Sequence, residues 1–224
     1  MAPDGLDLMR ITTVRRHVAR GAVLYRTGDH FHSLFTVRSG ALKSVAVSSG
    51  GQEKITAFHF PGEMLGLPGI SAGHYTRDAV AVDDTQVCVI PYAPLLEVTR
   101  QNPNAQRRLF MVLSCAIARH QRLLEVLEQM TAEQRVVACL LTLAARYGKS
   151  GRGMQGFPLP ITRIDMGNYL GLAHETVTRV LSHLHKEGYI HLEEKYVELK
   201  DVARLAEIPY PYEPPACDCN FFGC

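Results

Sequence analysis

The sequence predicts an α+β chain in which an antiparallel β half is followed by a helical half that ends in a small hairpin. Between residues 14 and 91, β-favourable segments alternate with glycine-containing turns roughly every ten residues, a spacing typical of an antiparallel sandwich or barrel. Residues 104–130 then contain no proline or glycine and favour a single long helix. Two short helices joined by a tight glycine turn follow, and two short strands come after them.

The composition is that of an ordinary folded chain with one large domain or two modest ones. Of 224 residues, 46% are hydrophobic and 21% are charged, which argues against global disorder. The formal net charge is only +2, so any nucleic-acid surface has to be a local concentration of basic residues. No apolar run approaches the roughly 18 residues of a membrane span, and residues 1–7 lack a signal-peptide pattern. We therefore expect a cytoplasmic protein with no membrane partner.

The β half consists of short strands separated by turn residues. Valine, isoleucine, threonine and aromatic residues dominate these segments, as is usual in strands. The predicted strands cover residues 23–25, 33–37, 42–47, 54–58 and 85–90. The pattern changes its period after Pro91, where the helical half begins.

The long predicted helix carries two apolar stripes. The first alternates steps of four and three, as in a coiled-coil seam, and consists of Leu109, Leu113, Ala116, His120, Leu123, Leu127 and Met130. The second lies beside it and consists of Phe110, Ile117 and Leu124. Together the stripes are wider than one contact face needs. We expect one to pack on the chain's own β structure and the other to meet a second copy in a homodimer; a single buried helix is the alternative.

The C-terminal third has the pattern of a winged helix-turn-helix. Thr131 and Gln134 match a capping box, and Gly188 follows the last helix. The predicted elements are helices over 134–147, 163–170 and 174–186 and strands over 189–192 and 196–199. The predicted core consists of Ile164, Met166, Tyr169, Leu170, Leu172, Val177, Val180, Leu181 and Leu184.

The last of these helices begins with side chains that can read bases. Arg179 can donate two hydrogen bonds to guanine, Glu175 can accept one from cytosine or adenine, and Thr178 can place its methyl group against thymine. His174 faces outward beside them. Three further residues are placed to hold phosphates without reading sequence: Thr162, Arg163 and Thr176. The alternative is an ordinary amphipathic helix pair whose charged outer face is only solvated.

Residues 161–181, ITRIDMGNYLGLAHETVTRVL, resemble the recognition motif of the CRP/FNR family of bacterial regulators, and most closely that of its FNR branch. The branch pattern is Asp-Ile-Gly-Asn-Tyr-Leu-Gly-Leu-x-x-Glu-Thr-x-Ser-Arg, in which Thr178 replaces the serine. Further similar motifs occur earlier in the chain and in the family's order, so that the resemblance covers nearly the whole chain. Among them are Gly28-Asp29, Pro61-Gly62-Glu63 and Val-Cys-Val-Ile-Pro at 87–91.

The resemblance implies both an architecture and a role. The implied domains are a β-roll sensor of the cyclic-nucleotide-binding type over 1–100, a dimerisation helix over 101–131, a winged-helix DNA-binding domain over 132–208, and a proline-rich linker with a cysteine tail over 209–224. The implied role is that of a transcription regulator, not an enzyme, that acts with RNA polymerase. Its double-stranded target would be a palindrome with TTGAT-like half-sites.

The residues at the family's cyclic AMP positions differ from those of members that bind this ligand. Such members hold the ribose with a glutamate and the phosphate with an Arg-Ser pair. Leu67 stands at the glutamate position, and Arg77 is followed by Asp78, whose negative charge would repel a phosphate. We therefore expect no cyclic nucleotide.

FNR proteins instead hold an oxygen-labile [4Fe–4S] cluster with cysteines near the N-terminus and one in the β-roll. Here no cysteine precedes Cys88, which matches the β-roll cysteine, but Cys217, Cys219 and Cys224 resemble a C-terminal set found in some relatives. Thiolates suit such clusters because they are soft, strong donors, and four ligands are normally needed. The hypothesis is an oxygen or redox sensor whose fourth ligand is Cys88 or an oxygen or nitrogen atom from the long helix.

Other interpretations of these residues stay open. The tail cysteines can instead bind zinc, or they can be reactive thiols that bind no metal. Without a cluster, the protein would be a constitutive or a thiol-sensing regulator. His30 and His32 form the His-x-His of cupin metalloenzymes, but Thr-Val at 36–37 replaces the glutamate that cupins need. A metal-dependent barrel enzyme with a DNA-binding module is the more distant alternative, and it is the one that would make the protein an enzyme. Cys115 and Cys139 lie in apolar helix contexts and are predicted to be core residues.

Overall fold

The computed structural model describes residues 14–149, 156–194 and 196–208. They belong to two compact units that divide inside the long helix, between Ile117 and Ala118. Across these ranges, no helix combines the length and the apolarity that a membrane crossing requires.

The first unit is built from two antiparallel four-stranded sheets, as the turn spacing predicted. One sheet has the order β1-β8-β3-β6 and the other the order β2-β7-β4-β5. The strands are β1 Val14–Val18, β2 Val23–Tyr25, β3 Ser33–Ser39, β4 Leu42–Val47, β5 Glu53–His59, β6 Met64–Leu65, β7 Asp78–Ala81 and β8 Thr85–Pro91. The helices are α1 Gly69–Ala72, α2 Tyr92–Gln101 and the first part of α3 Pro103–Gln129.

Aromatic side chains fill the core of this unit. Tyr25 and Tyr75 stack with ring centroids 3.9 Å apart, and Phe35 stacks on Tyr25 at 5.4 Å. The buried hydroxyl of Tyr75 donates to the carbonyl oxygen of Ser33 at 2.8 Å, so its polar end is satisfied. These contacts tie β2 and β3 to the loop before β7.

Helices α2 and α3 pack on apolar residues of the sheet that contains β3 and β8. Leu34 and Ile90 are cross-strand partners and both are fully buried. They share one hydrophobic cluster with Leu95 of α2 and with Leu109 and Val112 of α3. Leu109 and the partly buried Leu113, the first two residues of the predicted first stripe, therefore pack on the chain's own β structure.

The second unit contains the predicted helix-turn-helix and hairpin. Its helices are α4 Ala132–Lys149, α5 Arg163–Leu170, α6 His174–Lys186 and α7 Val202–Glu207. Its strands are β9 Gly156–Pro158, β10 Ile190–Glu193 and β11 Tyr196–Leu199, in the sheet order β10-β11-β9. The predicted capping box is present, since the Thr131 amide donates to Gln134 Oε1 at 2.9 Å and the Gln134 amide to Thr131 Oγ1 at 3.4 Å.

One predicted core residue of this unit is exposed, and three others are only half-buried. Ile164 is 66% exposed, whereas Met166 and Leu170 of the same helix are buried. Ile164 precedes Met166 by two residues, about 200° around a helix, and therefore points away from the core. Val177, Leu181 and Leu184 are buried as predicted.

The turn between α5 and α6 depends on Gly167. A Cβ atom at this position would lie 2.6 Å from the carbonyl oxygen of Leu172, which belongs to the backbone and cannot rotate away. We expect Gly167→Ala to destabilise the second unit by about 1–3 kcal/mol, although helix propensity alone favours alanine by about 1 kcal/mol. Urea unfolding measures the effect. The exposed Ser182→Ala of α6 is the control and should be at least as stable as the parent; equal stability of Gly167→Ala would contradict the tight turn.

Candidate nucleic-acid interface

The start of α6 is fixed by the turn that precedes it and by a contact from α4. Gly171 ends α5 in the left-handed region, with φ of 66°, which glycine adopts without strain. Arg135 of α4 donates from Nη1 to the carbonyl oxygen of Leu170 at 3.1 Å and from Nε to that of Met130 at 2.9 Å. The second unit thus sets the direction in which α6 presents its outer face.

The three predicted base-reading residues lie on this outer face. Glu175 and Arg179 are exposed and stand four residues apart, so they are neighbours on one side of α6. Thr178 is half-buried beside them, and its hydroxyl donates to the carbonyl oxygen of His174 at 2.9 Å. Because that hydrogen is used inside the helix, Thr178 has none to donate to a base, which favours contact through its methyl group.

Weak surface contacts hold the charged groups of this face. His174 Nε2 lies 3.3 Å from Glu175 Oε1, and Arg179 Nη2 donates to Thr176 Oγ1 at 3.3 Å. The side chains of His174 and Glu175 are 57% and 67% exposed, so water screens their attraction. Both contacts can be exchanged for contacts with bases at little cost.

The predicted phosphate contacts lie at the start of each helix. Thr162 is the N-cap of α5, and its Oγ1 accepts from the Asp165 amide at 3.0 Å, which leaves the hydroxyl hydrogen for a phosphate. Arg163 is exposed in the next position, and Thr176 is half-buried in the first turn of α6. All seven predicted DNA contacts therefore lie at the N-terminal halves of α5 and α6.

Comparison with known proteins identifies the family. The Crp-like helix-turn-helix domain matches residues 134–208, and the cyclic nucleotide-binding domain matches residues 15–102. The chain is 39% identical to the transcriptional activator protein anr of Pseudomonas aeruginosa over 205 residues, which cover 92% of this chain and 83% of that protein. The chain belongs to the CRP/FNR family. The fumarate and nitrate reduction regulatory protein of Escherichia coli is 33% identical, over 92% of this chain and 81% of its own length.

Solved structures of CRP/FNR regulators support the fold. FixK2 from Bradyrhizobium japonicum matches with a TM-score of 0.79 at 24% identity, over 91% of this chain and all of that one. A mutant of CooA from Carboxydothermus hydrogenoformans matches with a TM-score of 0.69 at 17% identity, over 92% and 96%. The predicted α+β class is confirmed, and the protein is a DNA-binding transcription regulator of the CRP/FNR type.

Leu67 and Asp78, from which the sequence predicted no cyclic nucleotide, both have contacts inside the first unit. Leu67, at the ribose position, packs against the apolar core of the first unit. Asp78 follows Arg77 in the chain, and its carboxylate accepts from the Thr27 amide at 2.7 Å. The absence of a cyclic nucleotide stays a prediction.

The described cysteines fall into two kinds. Cys139 on α4 is a free, buried thiol, and burial raises its pKa to about 12, so it is the inert core residue that we predicted. Cys88 on β8 and Cys115 on α3 are both disulfide-bonded. Cys88 is 1% exposed, but Cys115 is only half-buried, so the prediction that Cys115 is a plain core residue was wrong. One signal was available, since Cys115 belongs to neither apolar stripe of α3.

The predicted tail ligands Cys217, Cys219 and Cys224 lie outside the described residues. Sulfur is the ligand atom of iron–sulfur clusters, so the side chains of Cys88 and Cys115 have suitable donor chemistry once their disulfides are reduced. Together they give two of the four sulfur ligands that such a cluster normally needs.

The second stripe of α3 is exposed. Phe110, Ile117 and Leu124 are 61%, 60% and 56% exposed and follow one another at intervals of seven residues. Leu109 and Val112 on the neighbouring face are buried. An exposed apolar row with this period is the pattern of a coiled-coil interface.

The His-x-His segment is part of the β structure. His30 makes an isolated bridge with His74, and His32 Nδ1 lies 3.0 Å from the carbonyl oxygen of His30. Within the part of the chain that the structure describes, no three His, Cys, Asp or Glu side chains gather as a metal site. The enzyme alternative thus gains no ligand set from these residues.

Proposed function

We propose that the protein is a homodimeric, FNR-like regulator that binds a palindrome of two TTGAT-like half-sites. The observation that carries this proposal is the outer face of α6, where exposed Glu175 and Arg179 lie one turn apart with Thr178 between them. Arg179 would read the guanine, Glu175 the exocyclic amine of a neighbouring base, and the Thr178 methyl group a thymine. His174, Thr162, Arg163 and Thr176 would set the position of the helix.

The homodimer is supported by the exposed row on α3. Phe110, Ile117 and Leu124 would meet the same residues of a second copy, since a two-fold interface pairs each patch with itself. Two recognition helices related by that axis require a palindrome whose half-sites lie one helical turn apart. The symmetry of the target thus follows from the symmetry of the dimer.

Binding to labelled duplexes tests the sequence preference. The palindrome of inverted TTGAT half-sites should bind at least about a thousandfold more tightly than a duplex with scrambled half-sites at the same salt concentration. Cyclic AMP at millimolar concentration should leave both affinities unchanged. Equal affinity for the two duplexes would reject the proposed target.

For the sensor half, we propose a [4Fe–4S] cluster held by Cys217, Cys219, Cys224 and Cys88. Two observations support it: the kinship with regulators named for anaerobic control, and the burial of Cys88 in the sensor unit. When bound, the cluster would supply a site that oxygen attacks. The protein's own part would be to donate thiolates and to shield the site, and Cys88, at 1% exposure, would do both once its disulfide is reduced.

Purification without oxygen tests the cluster. Roughly four irons and four sulfides per chain, with broad visible absorbance that fades in air, would be expected. A colourless protein after reconstitution with iron and sulfide would reject the cluster and leave the DNA-binding proposal intact.

A cluster-free, thiol-sensing regulator is the second candidate. The observation that favours it is that Cys88 and Cys115 are disulfide-bonded, as cysteines of a reversible switch can be. DNA affinity that depends on a thiol reductant in iron-free protein would support it. In either case we propose a cytoplasmic protein that acts through RNA polymerase and is not an enzyme.

A further inference from the structure

We propose that Arg135 is the positioning residue that holds the recognition helix α6 at a fixed angle to the end of the long helix α3. In a dimer, this angle would determine how far apart the two half-sites of the target can lie. The inference rests on the proposed dimer and palindrome, and it adds the residue that selects the half-site spacing.

The first argument is the place of Arg135 in the fold. α3 ends at Gln129 and α4 begins at Ala132, so only Met130 and Thr131 join the two helices. The capping box at Thr131 fixes the start of α4, and Arg135 lies one turn after it. α4 itself packs against α6 and β9. A side chain at this position can therefore reach the end of α3 from a helix that is part of the DNA-binding unit.

The second argument is the pair of hydrogen bonds that Arg135 makes. Its Nε donates to the carbonyl oxygen of Met130, directly after α3, at 2.9 Å, and its Nη1 donates to that of Leu170, the last residue of α5, at 3.1 Å. Both acceptors lie at the C-terminal end of a helix, where carbonyl groups lack partners within the helix and the dipole is negative. The half-buried guanidinium bridges these two ends because its donors form a planar fork.

The third argument is that the position of Leu170 determines the position of α6. Three residues, 171–173, separate Leu170 from the start of α6 at His174. The turn is compact, since the Leu172 amide donates to the carbonyl oxygen of Gly167 at 2.8 Å. Leu170 is also 1% exposed and cannot move freely. A bond from Arg135 to Leu170 therefore fixes the first turn of the recognition helix.

The fourth argument is that one compact unit contains both the bridge and part of the proposed dimer interface. The second unit begins at Ala118, so Leu124 of the exposed row on α3 belongs to it together with α6. Leu124 is 56% exposed. The Arg135 bridge thus connects, within one unit, the helix of the interface and the helix that reads bases. In a two-fold dimer, the separation of the two recognition helices would follow from this connection.

Half-site spacing is the property that the bridge should control. One added base pair moves a half-site by about 3.4 Å and rotates it by about 34°. A dimer whose recognition helices are held rigidly then loses contacts with one half-site, whereas a dimer whose helices are held loosely can follow the shift. Binding to a single half-site does not depend on the angle between α3 and α6.

Fluorescence anisotropy with the full chain, prepared without oxygen, tests the role of Arg135. The duplexes are the TTGAT palindrome with the spacer that the parent binds best, and two palindromes whose spacer is one base pair shorter or longer. The parent should bind the altered spacers at least about tenfold more weakly, and Arg135→Lys and Arg135→Ala should bind all three within about threefold. Lysine keeps the charge but not the fork. Affinity for a duplex with one half-site should stay within about threefold of the parent.

Two controls separate positioning from a weakened unit. Arg204→Gln removes an arginine of α7, which stacks on Tyr189 at 4.9 Å, and leaves the bridge intact. Val137→Ala opens a cavity at a buried position of α4 and should lower the urea midpoint. Both should keep the spacing preference of the parent. A loss of the preference in Val137→Ala would show that it reports stability alone and would reject the inference.

The outcomes separate this inference from the proposed target. A parent that binds the palindrome and a scrambled duplex alike rejects the target and the inference together. A parent that prefers the palindrome but accepts all three spacers rejects only the inference, and so do variants that keep the strict preference of the parent. If Arg135→Ala loses the preference and Arg135→Lys keeps it, the charge suffices and the bridge is rejected. If Arg135→Ala fails to fold, Arg135→Lys decides.

Discussion

Replacing Arg179 by alanine should abolish the preference for the guanine of each half-site. Arg179 is exposed on the outer face of α6, and its weak contact with Thr176 leaves the guanidinium free to take two acceptors of one base. The loss should be on the order of 1–3 kcal/mol, or about five- to 150-fold in affinity. Fluorescence anisotropy with the palindrome and with a duplex that carries adenine in place of guanine measures it, since the variant should bind both alike.

A phosphate contact provides the matched control for Arg179. Arg163 is also an exposed arginine, but it stands at the start of α5, and Arg163→Ala should weaken binding to both duplexes equally. The slope of log affinity against log salt concentration should also fall by about one, because one fewer phosphate is neutralised, and the guanine preference should be retained. Unchanged binding of Arg179→Ala to the palindrome would show that another residue reads this base.

Replacing Ile117 by glutamate should convert the dimer to monomers. Ile117 is the middle residue of the exposed row on α3, so a two-fold interface would bring two carboxylates into its apolar centre. Burial of an unpaired charge costs about 3–5 kcal/mol, which raises the dissociation constant of the dimer by at least about a hundredfold. Sedimentation measures the mass, and affinity for the palindrome should fall with the loss of the second half-site.

The neighbouring residue serves as the control for Ile117. Ala118 is exposed and lies about 100° around the helix from Ile117, off the row. Ala118→Glu adds the same charge to the same turn and should leave the mass and the DNA affinity of the dimer unchanged. A dimeric Ile117→Glu protein would place the interface elsewhere.

The helix-turn-helix could be predicted closely because its signals are local. α6 spans His174–Lys186 as predicted, since its buried positions recur at helical spacing and glycine follows its end. α2 at Tyr92–Gln101 was not predicted, because Pro94 lies inside it and is tolerated only in a first turn. β9 and α7 were also missed, being three and six residues long, too short for a period to show.

The site residues likewise differ in how far the sequence could predict them. The residues at the start of α6 follow from one motif, and the structure places them on a common face. The disulfide-bonded state of Cys115 depends on its surroundings in the folded chain, which no local pattern encodes. Ile164 was predicted to be a core residue and is exposed. In a short helix, the sequence does not show which side packs against neighbouring elements, so an exposed apolar residue can be mistaken for a core residue.

The affinity for the palindrome before and after exposure to air tests the central claim most directly. Protein that is loaded with iron and sulfide without oxygen should bind the TTGAT palindrome as a dimer, and iron and specific binding should be lost together in air. Binding that is equally tight before and after complete loss of iron would contradict an oxygen sensor built on a cluster.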